Sequence, residues 1–364
     1  MYTTTEFPRS LLPLLRCPRD SGNLTICSEI QSGTGGVIHG TLRCSECSSE
    51  YYIEDGVARL MTDGLTEETK HEVELKDSEY EALPDIFEPP PSSWRSKYSD
   101  HIEIPPHLEE LAPLAGCRVL ELGCGDGRFT LLMAQLGAEV LSVDVSFAGL
   151  RTLARNLSRG VAPTTYQVDH KYTAKELSDR VGLVQADASH FHVSPHSFDR
   201  ALSATPLDSR DERMRMFRTV AESLKDGGRY VAGVEHDSLL RRMMGMPVAR
   251  RYTPGGIFIE HFSIQQLRRE SAPYFSQLRF RLIRPHVPFV RYFPTMLAVR
   301  VALMISAMPL LRQLGEIILL TAEDPIRAPV EGVRRPGSKV AKMAYRWYKR
   351  VRNEEPIWDK VDRV

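Results

Sequence analysis

The sequence predicts a doubly wound (Rossmann-like) α/β fold, in which helices cover both faces of a mainly parallel β-sheet. After Leu108, apolar runs alternate with helical stretches, in the order RVLELGCG, FTLLMAQLG, AEVLSVDVS, AGLRTLARNLS and GLVQADAS. The strand runs are almost continuously apolar, as in strands that are buried on both faces. A turn with several glycines joins the first of these strands to the first helix, and such turns form a ligand-binding edge in open sheets.

The composition is that of a folded globular protein. Of the 364 residues, 42% are hydrophobic and 26% are charged, which excludes a disordered or low-complexity chain. The 47 basic residues balance the 47 acidic ones, so only a local patch could attract nucleic acid or a membrane. Six cysteines are too few for a disulfide scaffold. The first residues lack a signal-peptide pattern, and no apolar run reaches the roughly 20 residues of a bilayer span, which predicts a cytoplasmic protein.

Residues 1–62 are predicted to form a small zinc-ribbon-like β domain. β-type runs at 24–30, 37–42 and 51–60 are separated by turns rich in glycine and serine. Two short segments have the spacing of zinc knuckles, each of which supplies two ligands to one tetrahedral ion. The candidate ligands are Cys17, Asp20, Cys44 and Cys47, with an aspartate at the usual fourth cysteine position. Less well-spaced substitutes are Cys27 and His39, and a metal-free β domain is the alternative.

Residues 63–107 are predicted to be an acidic helix followed by a proline linker. The segment 63–88 holds ten acidic and two basic residues, and PPPSSW follows it. We therefore place a boundary here, with the α/β core at 108–330 and a basic tail at 331–364.

The strongest single signal is the loop that follows the strand RVL. It reads Glu121-Leu-Gly-Cys-Gly-Asp-Gly-Arg128, with glycines at 123, 125 and 127. Glycines between a strand and a helix let a ligand approach the backbone and meet the N–H groups at the helix start. The GxGxG spacing is tighter than the GxGxxG of dinucleotide-binding loops, which argues against NAD. We interpret Cys124 as a small packed residue rather than a nucleophile.

Two acidic residues follow the next two strands. Asp144 ends the strand VLSVD, where a carboxylate can accept hydrogen bonds from both hydroxyls of a ribose. Asp187, next to Ala188, follows the third strand and is placed to meet the exocyclic amine of an adenine. The loop has neither a lysine nor a Ser/Thr phosphate clamp, so the predicted ligand is a nucleoside without a phosphate chain. S-adenosyl-L-methionine (SAM) fits this description best.

These motifs resemble those of class I SAM-dependent methyltransferases. ELGCGDGRFT, SVDVS, QADAS, FDRALSATPL and LKDGGRYVAG are similar to five successive motifs of that family, over roughly residues 108–325. The resemblance implies that the loop glycines line the methionine and ribose, that Glu121 orients the loop or reaches the amino group, and that Asp144 holds the ribose hydroxyls. It also implies that Val145 covers the adenine and that Asp187 and Ala188 bind its edge. The alternative is that the glycines only make a turn and the acids only cap helices.

Methyl transfer needs mainly a positioned acceptor and, for a hydroxyl, a base. The segments after the fourth and fifth strands supply the candidates Ser203, Thr205, Asp208, Glu235, His236 and Asp237. His236 is the first choice for the general base because histidine titrates near neutral pH, and a packing or surface role is its alternative. His261 is a further candidate. Ser203-Ala-Thr-Pro lacks the Asn/Asp-Pro-Pro-Tyr/Phe pattern of many amine methyltransferases, which leaves oxygen and carbon acceptors.

A late insertion at 239–313 is predicted on the acceptor side, within an antiparallel hairpin. Residues 239–300 contain eleven arginines and two glutamates, with aromatic residues between them. This pattern predicts an RNA-binding surface, a lid, or a solvated face that balances the acidic 63–88 segment. The apolar helix at 296–311 must be buried or meet lipid, which hints at a lipid-like acceptor and at peripheral membrane contact. The tail is predicted as a basic helix, either simply exposed or on a membrane surface or RNA.

The preferred function is methyl transfer from SAM to an oxygen or carbon of a small or lipid-like metabolite. The LLRCP, LRCSEC and YYIEDGVARLM segments also resemble the zinc-ribbon domain that activates tRNA and release-factor methyltransferases. One alternative is therefore an rRNA or tRNA base methyltransferase that binds RNA through the ribbon and the arginines. A second alternative is a catalytically silent protein of the SAM-binding fold that acts as an interaction subunit.

Overall fold

A computed structural model describes most of the chain. The described residues are 5–32, 35–62, 67–82, 94–204, 210–238, 258–285, 292–308 and 311–327, with 241, 243, 251–252 and 287. The predicted tail at 331–364 and the candidates Thr205 and Asp208 lie outside them.

Five parallel strands form the centre of the sheet. They are β6 (Arg118–Leu122), β7 (Glu139–Asp144), β8 (Val181–Gln185), β9 (Phe198–Ser203) and β10 (Leu224–Glu235), in the spatial order β8-β7-β6-β9-β10. Every residue of β8 is buried, as expected for a strand covered on both faces. The order reverses direction beside β6, so the carboxyl ends of β6 and its neighbours form a crevice where such sheets bind ligands. The predicted doubly wound α/β fold is confirmed.

The helices cover both faces of this sheet. They are α3 (Thr130–Gln135), α4 (Phe147–Arg159), α5 (Ala174–Ser178), α6 (Arg210–Ser223) and α7 (Ile264–Ser271). α4 shows why the chain folds this way locally. The hydroxyl of Ser146 accepts a hydrogen bond from the Gly149 N–H at its start, and Gly160 ends it in the left-handed conformation. Leu150, Leu153 and Leu157 lie on one face and are buried against the sheet.

The sheet ends in an antiparallel hairpin, as predicted. Its strands are β13 (Phe275–Pro285) and β14 (Gly315–Pro325), and β14 also pairs with β10. Helix α8 (Thr295–Ala307) and a 3-10 helix (Leu311–Leu314) lie between the two strands in sequence. A separate two-stranded sheet pairs β11 (Arg251–Tyr252) with β12 (Phe258–Ile259).

The N-terminal segment adds strands to the other side of the same sheet. It contains β1 (Phe7–Pro8), a 3-10 helix (Arg9–Leu14), β2 (Leu24–Ser32), β3 (Gly36–Cys44), β4 (Glu50–Glu54) and β5 (Val57–Arg59). β1 to β4 pair antiparallel, as the predicted β-type runs require, but β5 pairs parallel with β8. Leu42 and Leu141 belong to one continuous hydrophobic core. The boundary at residue 62 stays a prediction, and the strand pairing shows that the segment extends the core sheet.

Two helices occupy the segment predicted as a helix and linker. α1 (Glu67–Glu81) matches the acidic helix. α2 (Trp94–Leu111) differs from the predicted linker, because residues 94–107 are helical and packed on the core. The reason is that Ile104, Leu108 and Leu111 repeat at helical spacing and are buried against the sheet.

The arginines of β13 have acidic partners within the molecule. Arg281 lies 2.9 Å from Glu109, Arg279 lies 3.2 Å from Glu110, and Arg284 lies 2.8 Å from Glu103. The three glutamates belong to α2. These three arginines of β13 therefore pair with acids of α2, and for them the predicted balance against the acidic segment 63–88 is wrong.

Candidate active site

The loop between β6 and α3 has a backbone shape that glycine favours. Gly123, Gly125 and Gly127 all have positive φ, at 76°, 54° and 92°. A Cβ on Gly127 would overlap the Leu153 side chain of α4, so this glycine also allows the loop to pack closely on the helix. The loop therefore turns back over the carboxyl end of β6, and the N–H groups of its three glycines donate to acceptors within the protein, on Val143, Asp144 and Cys124.

Asp144 lies directly across this bend. One carboxylate oxygen accepts the Gly125 N–H at 2.8 Å, and the other accepts the Ser146 N–H at 2.9 Å. Burial raises the pKa of Asp144, although these two N–H groups oppose the shift. A carboxylate has about four acceptor positions, so Asp144 retains capacity for a ligand hydroxyl. The structure thus brings together the predicted glycine loop and the first predicted acid.

Two further acids lie close to the bend: Glu121 is buried and Asp126 is half-buried. The Glu121 carboxylate accepts hydrogen bonds from the Thr130 hydroxyl at 2.5 Å and the Ser142 hydroxyl at 3.3 Å. Burial raises the pKa of Glu121 to about 8 and that of Asp126 to about 6. Glu121 thus connects the start of α3 with β7, next to the glycine loop.

The residues predicted around the adenine lie at the ends of β7 and β8. Asp187 accepts the Ser189 N–H at 2.8 Å and pairs with His190 Nδ1 at 2.7 Å. Burial alone would raise the pKa of Asp187, but His190 and the Ser189 N–H outweigh it and hold the pKa below its usual range. Ala188 is buried, and Val145 is half-buried. A role of Asp187 toward an adenine stays a prediction.

Sequence reasoning missed Gln185, the last residue of β8. Its amide nitrogen donates to the Val145 carbonyl at 2.9 Å, whereas its buried Oε1 has no hydrogen-bond partner among the described residues. Gln185 pairs with Asp144 across β7 and β8. Gln185 is the first residue of QADAS, two residues before the acid Asp187, and that position could have indicated it.

Sequence reasoning also missed α1 as part of this site. Asp77 accepts hydrogen bonds from the Ser146 hydroxyl at 2.6 Å and the Ala148 N–H at 3.1 Å, so it caps α4 from outside. Tyr80 covers the bend itself, because a Cβ on Gly125 would lie 2.7 Å from its hydroxyl oxygen. Burial and the nearby acids Asp126 and Asp144 raise the pKa of Tyr80. The i, i+3 spacing of Asp77 and Tyr80 could have revealed this face, but acids dominate the rest of the helix.

The candidate acceptor residues lie where β9 and β10 end. Ser203 is the buried last residue of β9. Glu235 ends β10, and both of its oxygens lie 3.0 Å from an Arg284 nitrogen. Burial raises the pKa of Glu235 against the opposing effect of Arg284. Asp237 and His261 are both buried.

His236 is half-buried beside Glu235. Its Nδ1 lies 2.7 Å from the Gly315 carbonyl oxygen. Because a carbonyl only accepts hydrogen bonds, Nδ1 carries the proton in the neutral ring and Nε2 is the basic nitrogen. The fold therefore selects one tautomer at the position predicted for a general base.

A chain of charged groups joins the glycine loop to this region. Arg128, next to Gly127, lies 2.9 Å from Asp100 and 3.1 Å from Glu103. Glu103 also pairs with Arg284, whose pKa is raised by Glu235 and Glu103 against the lowering effect of burial. α2 thus connects the loop after β6 with the end of β10.

The predicted zinc ligands converge in the N-terminal segment. Ligand atoms of Cys17, Asp20, Cys44 and Cys47 all lie within 4.8 Å of one another. Cys17 and Cys47 are 3.6 Å apart at sulfur, and the Cys44 sulfur is 3.3 Å from an Asp20 oxygen. Tetrahedral Zn–S bonds of about 2.3 Å imply sulfur separations of roughly 3.8 Å, so the donor set fits such an ion.

The two substitute ligands lie elsewhere. The exposed Cys27 donates to the Thr41 carbonyl at 3.5 Å, and His39 lies 3.6 Å from Asp55.

Part of the chain is similar to known methyltransferases. Residues 120–232 match the family described as "Methyltransferase domain". A ubiquinone biosynthesis O-methyltransferase of Ruegeria sp. is 24% identical over 152 residues, 41% of this chain and 55% of that protein. The corresponding protein of Ralstonia nicotianae is 32% identical over 123 residues, 33% of this chain and 44% of that protein. The chain thus spans about half the length of the curated relatives it matches.

A solved structure from Mesorhizobium loti, titled as an S-adenosylmethionine dependent methyltransferase, shares 20% identity and has a TM-score of 0.41. The alignment covers 64% of this chain and 100% of that one. Within the described parts of this chain, no helix combines the length and apolarity needed to cross a bilayer. The match to the family described as "Methyltransferase domain" falls on the doubly wound sheet and on the glycine loop at its carboxyl edge, and it covers residues 120–232.

Proposed function

We propose that this protein transfers a methyl group from SAM to an oxygen or carbon of a small or lipid-like metabolite. The observation that carries the proposal is the Asp144 carboxylate, held 2.8 Å from the Gly125 N–H across the three-glycine bend. This arrangement places an acceptor for ribose hydroxyls beside a backbone without side chains. The similarity to ubiquinone biosynthesis O-methyltransferases supports an oxygen acceptor.

The residues at the bend fit SAM. The three glycines offer a backbone without side chains, Asp144 offers carboxylate oxygens, and the Gln185 amide oxygen is a buried acceptor suited to an amine. SAM would supply an electrophilic methyl group on a sulfonium. The chain has to orient the acceptor and remove its proton. In this proposal His236 Nε2 accepts that proton, because Gly315 fixes the proton on Nδ1.

The test separates binding from turnover. We expect Asp144→Asn to weaken SAM binding at least tenfold by titration calorimetry, because one acceptor oxygen is lost. Asp179→Asn is the matched control, since this exposed carboxylate pairs with Lys175 before β8 begins. His236→Gln should bind SAM normally and lose turnover.

Turnover is measured with labelled SAM and separated lipid and small-molecule fractions. Unchanged SAM affinity in Asp144→Asn would refute the site. SAM binding without methylation of any fraction would instead indicate the catalytically silent alternative.

We also propose that the N-terminal segment holds one structural zinc ion through Cys17, Asp20, Cys44 and Cys47. Their mutual distances support this, and so does the Glu46 N–H, 3.4 Å from the Cys44 sulfur. N–H groups directed at sulfur stabilise a thiolate, which is the form that binds metal.

Metal analysis of purified protein tests the zinc site. We expect one zinc per chain in the wild type, a strong reduction in Cys44→Ser and no change in Cys27→Ser. Cys27 is the matched control because it is an exposed cysteine of the same β unit outside the cluster. Zinc-free wild-type protein, or equal zinc in both variants, would contradict the assignment.

A further inference from the structure

Helix α8 turns an apolar face outward. The residues with 40–61% of their surface exposed are Met296, Leu297, Leu303, Met304, Met308 and Leu311. Within the helix, Met296, Leu297, Leu303 and Met304 recur at helical spacing and lie on one face. Met308 directly follows the helix, and Leu311 belongs to the 3-10 helix that precedes β14. A contiguous apolar surface of this kind marks a site of interaction.

The opposite face of α8 is already buried. Ala298, Val299 and Ala302 form a small core with Tyr98 and Ile102 of α2. The indole N–H of Trp94, the first residue of α2, also donates to the Phe293 carbonyl at 2.8 Å. α8 is therefore held in place by its small residues, and its large apolar residues need a partner from outside the described chain.

The charges around α8 favour an anionic partner. Residues 286–314 contain three arginines and no aspartate or glutamate. Arg300 is exposed on the same face as Leu303 and Met304. The exposed Tyr292 and Phe293 precede the helix, where aromatic rings sit well at a boundary between lipid and water. A second copy of this face would bring cationic residues against cationic residues.

We propose that α8 docks on the surface of an anionic lipid bilayer, lying in the plane of the interface. A helix of 13 residues with an apolar face, a cation and flanking aromatics has the chemistry for such contact.

The position of α8 adds a consequence that rests on the proposed function. The 3-10 helix after α8 leads to Gly315, whose carbonyl lies 2.7 Å from His236 Nδ1. Ile317 pairs with Glu235, the last residue of β10. The apolar face is thus close in the chain to the proposed acceptor edge, so a lipid-like acceptor would enter from the bilayer.

Vesicle flotation of the full chain tests docking without SAM or turnover. We expect binding to vesicles of phosphatidylcholine with phosphatidylglycerol, and at least tenfold weaker binding to phosphatidylcholine alone. The double variant Leu303→Glu/Met304→Glu should lose at least tenfold in binding to the anionic vesicles. Ile30→Glu should bind like the wild type, since Ile30 is an even more exposed apolar residue but lies on β2, away from this face.

Unchanged thermal unfolding and SAM binding in the double variant would establish that it is folded. Failure of SAM binding in every form would refute the proposed function and leave the docking result intact. Three outcomes would overturn docking: no binding of the wild type, equal binding of the double variant, or a concentration-dependent dimer that the double variant loses.

Discussion

Glu121 shows how one buried acid can make stability depend on pH. Its pKa of about 8 lies above the ordinary value of 4.5, because burial disfavours the charged form. Between these two pH values the native state keeps the proton and the unfolded state releases it. Stability therefore falls as pH rises through this interval, by about 1.4 kcal/mol for each pKa unit of the shift.

Glu121→Gln should remove this dependence while keeping an oxygen for the Thr130 hydroxyl. We expect the variant to gain stability relative to the wild type as the pH is raised from about 5 to about 8. Urea unfolding at several pH values measures the difference, and the comparison cancels contributions from other acids such as Asp126. A difference that does not change with pH would contradict the buried, proton-retaining state of Glu121.

At the same scale, local patterns predicted some residues better than others. Asp144 was predicted at the glycine loop because the end of β7 and the turn after β6 must meet at one edge of a parallel sheet. The Oδ2 atom of Asp187 is paired with His190 instead of being exposed. No pattern in the sequence indicated that His190, three residues after Asp187, would be the partner of this carboxylate.

Among the elements, α1 has the largest consequence for the site. Tyr80 lies against the bend at Gly125, and Asp77 holds α1 to the start of α4. A nucleoside bound beside Gly125, with its ribose at Asp144, would contact the Tyr80 ring, so α1 has to shift when the ligand enters. α1 is therefore a cover over the proposed cofactor site.

Tyr80→Ala should accelerate SAM association and raise its affinity several-fold, because the ring no longer has to be displaced. Tyr80→Phe is the matched control, since it keeps the ring and should behave like the wild type. Stopped-flow fluorescence and titration calorimetry measure both effects. Weaker SAM binding in Tyr80→Ala would show instead that the ring holds the ligand.

For the whole molecule, the continuous sheet predicts cooperative unfolding. β5 pairs with β8, the Leu60 N–H donates to the Gln185 carbonyl at 2.8 Å, and Arg59 stacks 4.0 Å above the ring of Phe147. These backbone and side-chain contacts join the N-terminal strands to the core. Independent unfolding of residues 1–62 would break all of them.

We expect one calorimetric unfolding transition. Leu42→Ala should lower the temperature of this single transition without splitting it. A buried leucine of this kind stabilises the fold by about 2–5 kcal/mol, and Leu42 is 1% exposed. Ile30→Ala, at an exposed position of the same unit, should change little. If two transitions appear and Leu42→Ala lowers the temperature of only one of them, residues 1–62 unfold as a separate domain.

The sequence by itself determined the alternation of strands and helices, the glycine bend and the cysteine knuckles, because each depends on neighbours within about thirty residues. Only the tertiary structure decided that Tyr80 covers Gly125, that Glu109 pairs with Arg281, and that β5 extends the sheet at β8. These contacts join segments far apart in the chain. They depend on which surfaces remain unpaired after the local elements have formed, and periodicity records only which face of an element is apolar.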